Sequence, residues 1–132
     1  MSFLLDTHAF LWAVAESSRL SATAHAIIKN PENRIYVSPV SFWEISLKYS
    51  LGKLKLTGKT PDELPAALPV FGFEELALTS EIAASFHGLP RLAHKDPFDR
   101  MLICQAIHYR LTLVSADQQL KQYGNSGLKL VW

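Results

Sequence analysis

Two aspartates, Asp96 and Asp99, stand at the start of the apolar segment 97–109. Proline is favoured at the first position of a helix and aspartate at the capping position before it, so the pattern predicts a helix from Pro97 to about Tyr109. At a spacing of three residues, the two carboxylates lie on one side of the first turn. They either cap the helix and complement its dipole or take part in binding a cation.

Two more carboxylates follow predicted strands. Asp6 ends the apolar run 2–5, and Asp117 follows the apolar run 111–114. If these strands are parallel, their carboxyl ends meet at one edge of the sheet, which also receives the helix that begins at Pro97. Grouped carboxylates disfavour one another's ionisation, so we expect a cation among them. Oxygen ligands suit Mg²⁺ or Mn²⁺, whereas zinc normally recruits cysteine or closely spaced histidine, and the five histidines are scattered.

Glu44 is a fifth candidate acid, within a predicted helix. Lys48 follows it at i,i+4 in the favourable orientation, so Glu44 suits a surface salt bridge as well as it suits a metal site. The sequence leaves both interpretations open. The other acids fit solvated faces or caps.

The elements that position these acids alternate between strand and helix, which predicts a parallel sheet with helices on both faces. A stripe of Trp43, Leu47 and Leu51 marks the third helix. The predicted strands are 2–5, 35–37, 73–78, 111–114 and 128–131. The first predicted helix follows Asp6-Thr7, the second spans 22–29 after a cap at Ser21, and the third runs from Ser41 to Gly52. A fourth opens at 61–64 and closes at Pro69, and a fifth spans 81–87 after a cap at Ser80. The sixth spans 97–109, and a last short helix ends near Tyr123.

The composition is that of a folded single domain spanning residues 1–132, with 48% hydrophobic and 19% charged residues. The lone Cys104 excludes an intramolecular disulfide and favours a reducing cytosol, so a cytoplasmic protein is expected. Residues 1–14 lack the features of a signal peptide, and no stretch approaches the length of a membrane span. The net charge of +1 excludes the strongly basic character of many duplex-DNA binders.

Four ordered motifs carry a family resemblance over nearly the whole chain. Residues 3–8 (Phe-Leu-Leu-Asp-Thr-His), 40–45 (Val-Ser-Phe-Trp-Glu-Ile), 94–100 (His-Lys-Asp-Pro-Phe-Asp-Arg) and 113–117 (Leu-Val-Ser-Ala-Asp) together resemble a PIN-domain ribonuclease. More narrowly, they resemble the VapC-type toxins of bacterial VapBC toxin–antitoxin pairs. The resemblance implies a three-layer α/β/α fold and Mg²⁺- or Mn²⁺-dependent cleavage of RNA to 5′-phosphate and 3′-hydroxyl products.

The resemblance also assigns the site. The family's first acid falls on Asp6, its helical glutamate on Glu44 and its last acid on Asp117. Asp99 matches the usual third acid, while Asp96 belongs to the longer motif of this subgroup. Asp6, Asp99 and Asp117 are then expected to hold one ion, and Glu44 with Asp6 and Asp96 a weaker second one. Ser115 stands where threonine is commoner and is expected to steady Asp117 or a metal-bound water.

The resemblance implies three macromolecular partners: an RNA substrate, a second copy in a homodimer, and a VapB-type antitoxin whose tail lies over the active-site groove. The lysines at 48, 53, 55 and 59, with Lys95 and Arg100, offer a track for single-stranded RNA or form a solvated surface. The aromatic residues Trp12, Phe42, Trp43 and Tyr49 stack on bases or pack in the core or an interface, and we favour an interface for at least one.

Two other classes of protein fit part of the pattern. A response-regulator domain also gathers acids around Mg²⁺, but its mid-chain phosphoacceptor and late lysine have no counterpart here. A non-catalytic PIN-like module that binds RNA or protein is the stronger alternative. Retention of all four acidic positions argues against it.

Overall fold

The computed structural model describes residues 1–132 and contains one five-stranded sheet. The sheet has the order β3-β2-β1-β4-β5, and every neighbouring pair is parallel. This confirms the predicted α/β class with a central parallel sheet. The strands are β1 (Ser2–Leu5), β2 (Arg34–Val37), β3 (Glu74–Glu75), β4 (Thr112–Val114) and β5 (Lys129–Val131).

Helices connect the strands, and 3-10 turns flank several of them. The α-helices are α1 (Thr7–Ala15), α2 (Ala22–Lys29), α3 (Pro39–Ser50), α4 (Ala67–Phe71), α5 (Ser80–Ser85) and α6 (Pro97–Tyr109). The 3-10 segments are Ser17–Arg19, Pro61–Ala66, Phe86–Gly88 and Gln118–Ser126. None of the helices is long and apolar enough to cross a bilayer.

The sheet is covered on both faces because alternate residues of its central strands enter different cores. Leu4 and Leu113 belong to one apolar cluster, together with residues of α5 and α6. Phe3, Leu5 and Val114 belong to the other, together with residues of α1 and α3. Successive side chains of a strand point to opposite faces, so these two clusters are the two interlayer cores. The predicted three-layer arrangement is therefore confirmed.

The prediction for α3 was wrong at its start. The helix begins at Pro39 instead of Ser41, because the hydroxyl oxygen of Ser38 accepts a hydrogen bond from the Val40 amide at 3.0 Å and Pro39 fits the first helical position. The predicted C-terminal glycine is confirmed, since Gly52 has φ +72°.

Strand β3 is shorter than the predicted strand 73–78. The chain leaves the sheet after Leu76, and the carbonyl of Ala77 accepts hydrogen bonds from the side chains of Gln105 and Tyr109 instead of from a strand. The next helix is capped by Thr79, whose hydroxyl accepts from the Ile82 amide, and not by Ser80.

Two further boundaries differ from the prediction. Pro69 does not close the helix opened at 61–64 but lies within α4, which ends at Gly72 in a left-handed conformation. The segment predicted to end near Tyr123 continues as 3-10 turns to Ser126.

Candidate metal centre

The carboxyl ends of β1 and β4 bring Asp6 and Ser115 together at one edge of the sheet. Leu5 pairs with Val114, and the Asp6 amide donates to the Val114 carbonyl at 3.1 Å. Asp6 also caps α1, because its Oδ1 atom accepts from the Ala9 amide at 2.8 Å. Burial raises the pKa of the Asp6 carboxyl, and hydrogen bonds from Ser115 and Ala9 oppose this effect.

Ser115 links two of the predicted metal ligands. Its side chain is fully buried, it hydrogen-bonds to the Asp6 carboxyl, and its oxygen accepts from the Asp117 amide at 3.1 Å. The contact with Asp117 is made through the backbone. Asp117 in turn caps the following 3-10 segment by accepting from the Gln119 amide at 3.0 Å. The strand end therefore fixes the backbone of Asp117 and leaves its carboxylate at the rim.

Asp96 and Asp99 enter the site from the start of α6, as the sequence predicted. Asp96 caps the helix by accepting from the amides of Phe98 at 2.8 Å and Asp99 at 3.3 Å. The pKa of Asp99 is raised to about 6, first by burial and then by the negative charges of Asp96, Asp6 and Glu44, while a hydrogen bond from His94 opposes the rise. Asp99 is thus surrounded by the other acids, as a shared site requires.

His94 is the site residue that the sequence did not reveal. Its Nε2 atom lies 3.0 Å from Oδ2 of Asp99, and its Nδ1 atom lies 3.7 Å from Oδ2 of Asp117. Burial lowers the pKa of His94, but the contacts with Asp99, Gln119 and Asp117 outweigh burial, so the pKa is raised. Its position in a loop, two residues before the Asp96 cap, carries no periodic signal that could have identified it.

The tightest set of potential metal-ligand atoms belongs to His94, Asp99 and Asp117, which all lie within 4.8 Å of one another. Asp6, Glu44 and Asp96 lie outside this set but act on the pKa of Asp99 through their charges. All six predicted site residues therefore occupy one region at the strand ends. The oxygen-rich donors suit a hard divalent cation, and the imidazole is compatible with Mn²⁺.

Glu44 is buried on α3 with both carboxylate oxygens engaged. Its Oε1 atom accepts from the Thr7 hydroxyl at 2.6 Å, and its Oε2 atom pairs with the Lys48 ammonium. The Thr7 and Ser41 hydroxyls lie 3.1 Å apart, which connects α1 with α3 beneath the site. The salt bridge to Lys48 that the sequence left open is thus present, but Glu44 is 2% exposed and is not a surface residue.

Arg100 does not contribute to a basic track, contrary to the sequence-based expectation. Its guanidinium is buried and donates to the carbonyls of Leu89 and Pro90 and to the Tyr123 hydroxyl. The Tyr123 hydroxyl donates to the His94 carbonyl at 3.3 Å. Arg100 therefore holds the loop that carries His94. Cys104 is also buried.

A groove of about 450 Å³ lies beside α1 and contains other parts of the basic track. Cationic or titratable side chains from His8, Arg19, Lys55 and Lys59 line it, with Glu16 as the acidic side chain. Trp12 forms part of its wall and is covered by the Arg19 guanidinium at 4.8 Å and by Trp132 at 5.7 Å. His8 lines this groove, and its charge lowers the pKa of Asp6.

The apolar stripe of α3 faces outward. Trp43, Leu47 and Leu51 are 64%, 37% and 58% exposed, although their i,i+4 spacing is typical of a buried helix face. Trp43 makes an edge-on contact with Phe98, with ring centroids 5.0 Å apart. An exposed apolar stripe of this kind is typical of a protein interaction surface.

The parallel sheet, the layers on both faces and the carboxylates at the strand ends define an α/β/α protein with a candidate divalent-metal centre. The chain belongs to the PIN domain family, whose sequence model matches residues 3–125.

A curated relative and two solved structures give further comparisons. The chain is 28% identical over 137 residues to Ribonuclease VapC22 of Mycobacterium tuberculosis (strain ATCC 25618 / H37Rv), covering 98% of this chain and 97% of the relative. VapBC2 from Rickettsia felis, bound to a DNA fragment from its promoter, has a TM-score of 0.65 at 19% identity over 99% of this chain and 98% of that chain. DNA-bound VapBC from Salmonella typhimurium has a TM-score of 0.62 at 15% identity over 99% and 97%. At these identities the structures are evidence for the fold.

Proposed function

We propose that this chain is a Mg²⁺- or Mn²⁺-dependent endoribonuclease and the toxin of a type II toxin–antitoxin system. The observation that carries the proposal is the convergence of Asp6, Asp99 and Asp117 from three distant segments at the ends of two adjacent strands. Membership of the PIN domain family and the similarity to a protein named as a VapC ribonuclease support it.

The donor set fits a hard divalent cation. The pKa of Asp99 is raised first by burial and then by the negative charges of neighbouring acids, and a bound cation would offset both effects. Asp6, Asp99 and Asp117 are the proposed ligands, with Asp96 assisting at the helix start. When bound, the ion supplies activation of water at neutral pH and a counter-charge for the oxygens of the phosphodiester.

Other residues of the site orient the proposed metal ligands. Ser115 holds the Asp6 carboxyl and the Asp117 amide, so it fixes two ligands through one hydroxyl. Glu44 holds a cation beside these ligands, and the sequence-based hypothesis takes this cation to be a second metal ion. His94 bridges Asp99 and Asp117 and so orients both carboxylates through one imidazole.

The basic groove is the proposed route of single-stranded RNA. Lys55, Lys59 and Arg19 present cations along it, and His8, which also lines it, is two residues from the buried Asp6 in the sequence. By binding the phosphates, these side chains direct the RNA toward the acids.

The proposed partners are a VapB-type antitoxin and a second copy of the chain. The fold is shared with proteins that were solved as VapBC complexes. The exposed stripe Trp43, Leu47 and Leu51 supports a homodimer. We further propose that residues 1–132 act as a single cytoplasmic domain.

A cleavage assay on single-stranded RNA tests the activity. We expect cleavage with Mg²⁺ or Mn²⁺, loss of cleavage in excess EDTA, and products with 5′-phosphate ends. Asp99→Asn, purified in the same way, is the control for contaminating nucleases. Cleavage that persists in EDTA, or equally in Asp99→Asn, contradicts the proposal. RNA binding without cleavage under every metal condition favours the non-catalytic module.

A further inference from the structure

Lys48 is the cation that the structure brings to the acidic site. Its ammonium pairs with Oε2 of Glu44, while the Thr7 hydroxyl donates to Oε1. The Glu44 carboxylate therefore has a partner on each oxygen before any metal ion is considered. The pair is fixed by the i,i+4 spacing on α3.

The Lys48 ammonium interacts electrostatically with other acids of the site as well as with Glu44, its direct partner. The side chain is one-third exposed, and the negative charges of Glu44, Asp96 and Asp99 all act on it. The ammonium also lies 5.9 Å from the centre of the Phe98 ring, within reach of a cation–π interaction. Two of these acids, Glu44 and Asp96, are among those to which the sequence-based hypothesis assigned a second metal ion.

We propose that the Lys48 ammonium takes the place of a second metal ion, so that each site binds one divalent cation and Lys48 supplies the other positive charge. This inference rests on the proposed nuclease function and replaces the weaker ion site expected at Glu44. Asp6, Asp99 and Asp117 hold the single ion, and Glu44 serves to position Lys48. A divalent ion at Glu44 would have to displace the ammonium.

The burial of Glu44 distinguishes this pair from an ordinary surface salt bridge. The Glu44 side chain is 3% exposed, and a carboxylate that loses its cation at such a depth becomes uncompensated. Removal of the Lys48 ammonium therefore leaves an anionic position with Asp96 and Asp99 nearby, which is open to a metal ion.

Counting bound Mn²⁺ by electron paramagnetic resonance tests the inference without relying on catalysis. We expect one ion per wild-type chain and two ions per Lys48→Ala chain. The double variant Glu44→Gln/Lys48→Ala should return to one, since it lacks the vacated carboxylate. Lys48→Arg keeps a cation at this position and should bind one. Lys53→Ala, an exposed lysine one turn beyond, is the matched control and should also bind one.

Any other number of bound Mn²⁺ ions per chain contradicts the inference. Two ions in the wild type mean that Lys48 does not occupy the position, and this measurement does not depend on any variant folding. One ion in Lys48→Ala, and in Lys48→Met as a second variant of similar length, means that the salt bridge has a structural role alone. A wild type that binds two ions and cleaves RNA contradicts the role of Lys48 and leaves the proposed nuclease intact. A wild type that binds none and does not cleave contradicts both.

Discussion

The Oδ2 atom of Asp99 lies 3.0 Å from the Nε2 atom of His94, and the same imidazole reaches Asp117 through its other nitrogen at 3.7 Å. One ring thus spans two carboxylates that belong to different elements, the start of α6 and the segment after β4. A protonated imidazole there neutralises part of the charge that the acids share. The two carboxylates are therefore held together by a residue of the chain.

Asp99→Asn should stabilise the metal-free protein at neutral pH. The pKa of Asp99 is about 6 in the folded protein against an ordinary value of 3.8, so the folded state binds the extra proton between these values. Stability contributed by this group is present below about pH 4 and is lost as the pH rises through about 6. Removing the carboxylate should raise the free energy of unfolding at pH 7 by on the order of 1 kcal/mol. Urea denaturation in EDTA at pH 4 and pH 7 measures this effect.

A lower unfolding free energy for Asp99→Asn at pH 7 would instead assign Asp99 to the helix dipole, which is worth about 0.3 to 1 kcal/mol. The exposed Glu81 in the first turn of α5 provides a control, because Glu81→Gln should show no gain.

Mg²⁺ should stabilise the wild type far more than Asp99→Asn. An ion bound by the folded state alone contributes roughly 2.7 kcal/mol at a hundredfold excess over its dissociation constant. Asp99→Asn removes a central ligand and should lose most of this gain. Thermal melts of both proteins with EDTA and with Mg²⁺ compare the shifts, and equal shifts in the two proteins would exclude Asp99 from the metal site.

His94→Ala should raise the pKa of Asp99 above about 6. The hydrogen bond from His94 is the influence that lowers this pKa, whereas burial and three neighbouring acids raise it. Carbon-13 NMR of the aspartate carboxyls against pH measures the change directly. His87→Ala, on the other side of the same loop, is the control. A lower pKa in His94→Ala would mean that the imidazole does not donate to the carboxylate.

Lys55→Ala/Lys59→Ala should weaken RNA binding without abolishing cleavage. The two side chains line the groove beside α1 and lie outside the carboxylate cluster. Losing two phosphate contacts should raise the dissociation constant for single-stranded RNA by on the order of tenfold and reduce the slope of its salt dependence by about 1.4. Fluorescence anisotropy at several salt concentrations measures both.

The matched control is Lys29→Ala/Lys121→Ala, which removes two exposed lysines from other surfaces. An equal loss of affinity in this control would point to net charge as the cause, and an unchanged salt slope in Lys55→Ala/Lys59→Ala would place the RNA elsewhere.

Leu47→Glu/Leu51→Glu should convert the proposed homodimer to a monomer. Both side chains face outward from α3 in the same stripe as Trp43, so charges there disrupt an interface and leave the core intact. Light scattering with size-exclusion chromatography measures the mass. Val70→Glu is the control, because Val70 is 79% exposed on a different helix. A monomeric wild type, or dissociation caused equally by Val70→Glu, would exclude this stripe as the dimer contact.

The sequence predicted most of the fold because its signals are local. Ser21 and Asp96 each cap the helix that they were expected to begin, and alternating elements implied the parallel sheet. The errors fall where a tertiary contact decides a boundary. Strand β3 ends early because side chains of α6 bind the carbonyls that follow it, and no local pattern encodes that contact.

The site was predictable to the extent that its residues follow strands or open helices. Asp6, Asp99 and Asp117 occupy such positions, and their approach followed from the parallel topology. His94 and Arg100 were not predictable, because a loop residue has no periodicity and a buried guanidinium satisfied by carbonyls has the same sequence as an exposed one. The sequence also did not predict that the apolar stripe of α3 faces outward, because residue spacing identifies an apolar face but not what covers it.

The pairing of β1 with β4 has a consequence for synthesis. Asp6 is synthesised before α6, whereas β4 and Asp117 come after α6, so β4 cannot take its place between β1 and β5 until then. A nascent chain that has reached α6 carries Asp6, Glu44 and Asp99 but lacks the strand that aligns them with Asp117. For a chain with the proposed activity, the nuclease centre therefore stays incomplete until β4 has been synthesised and has paired with β1.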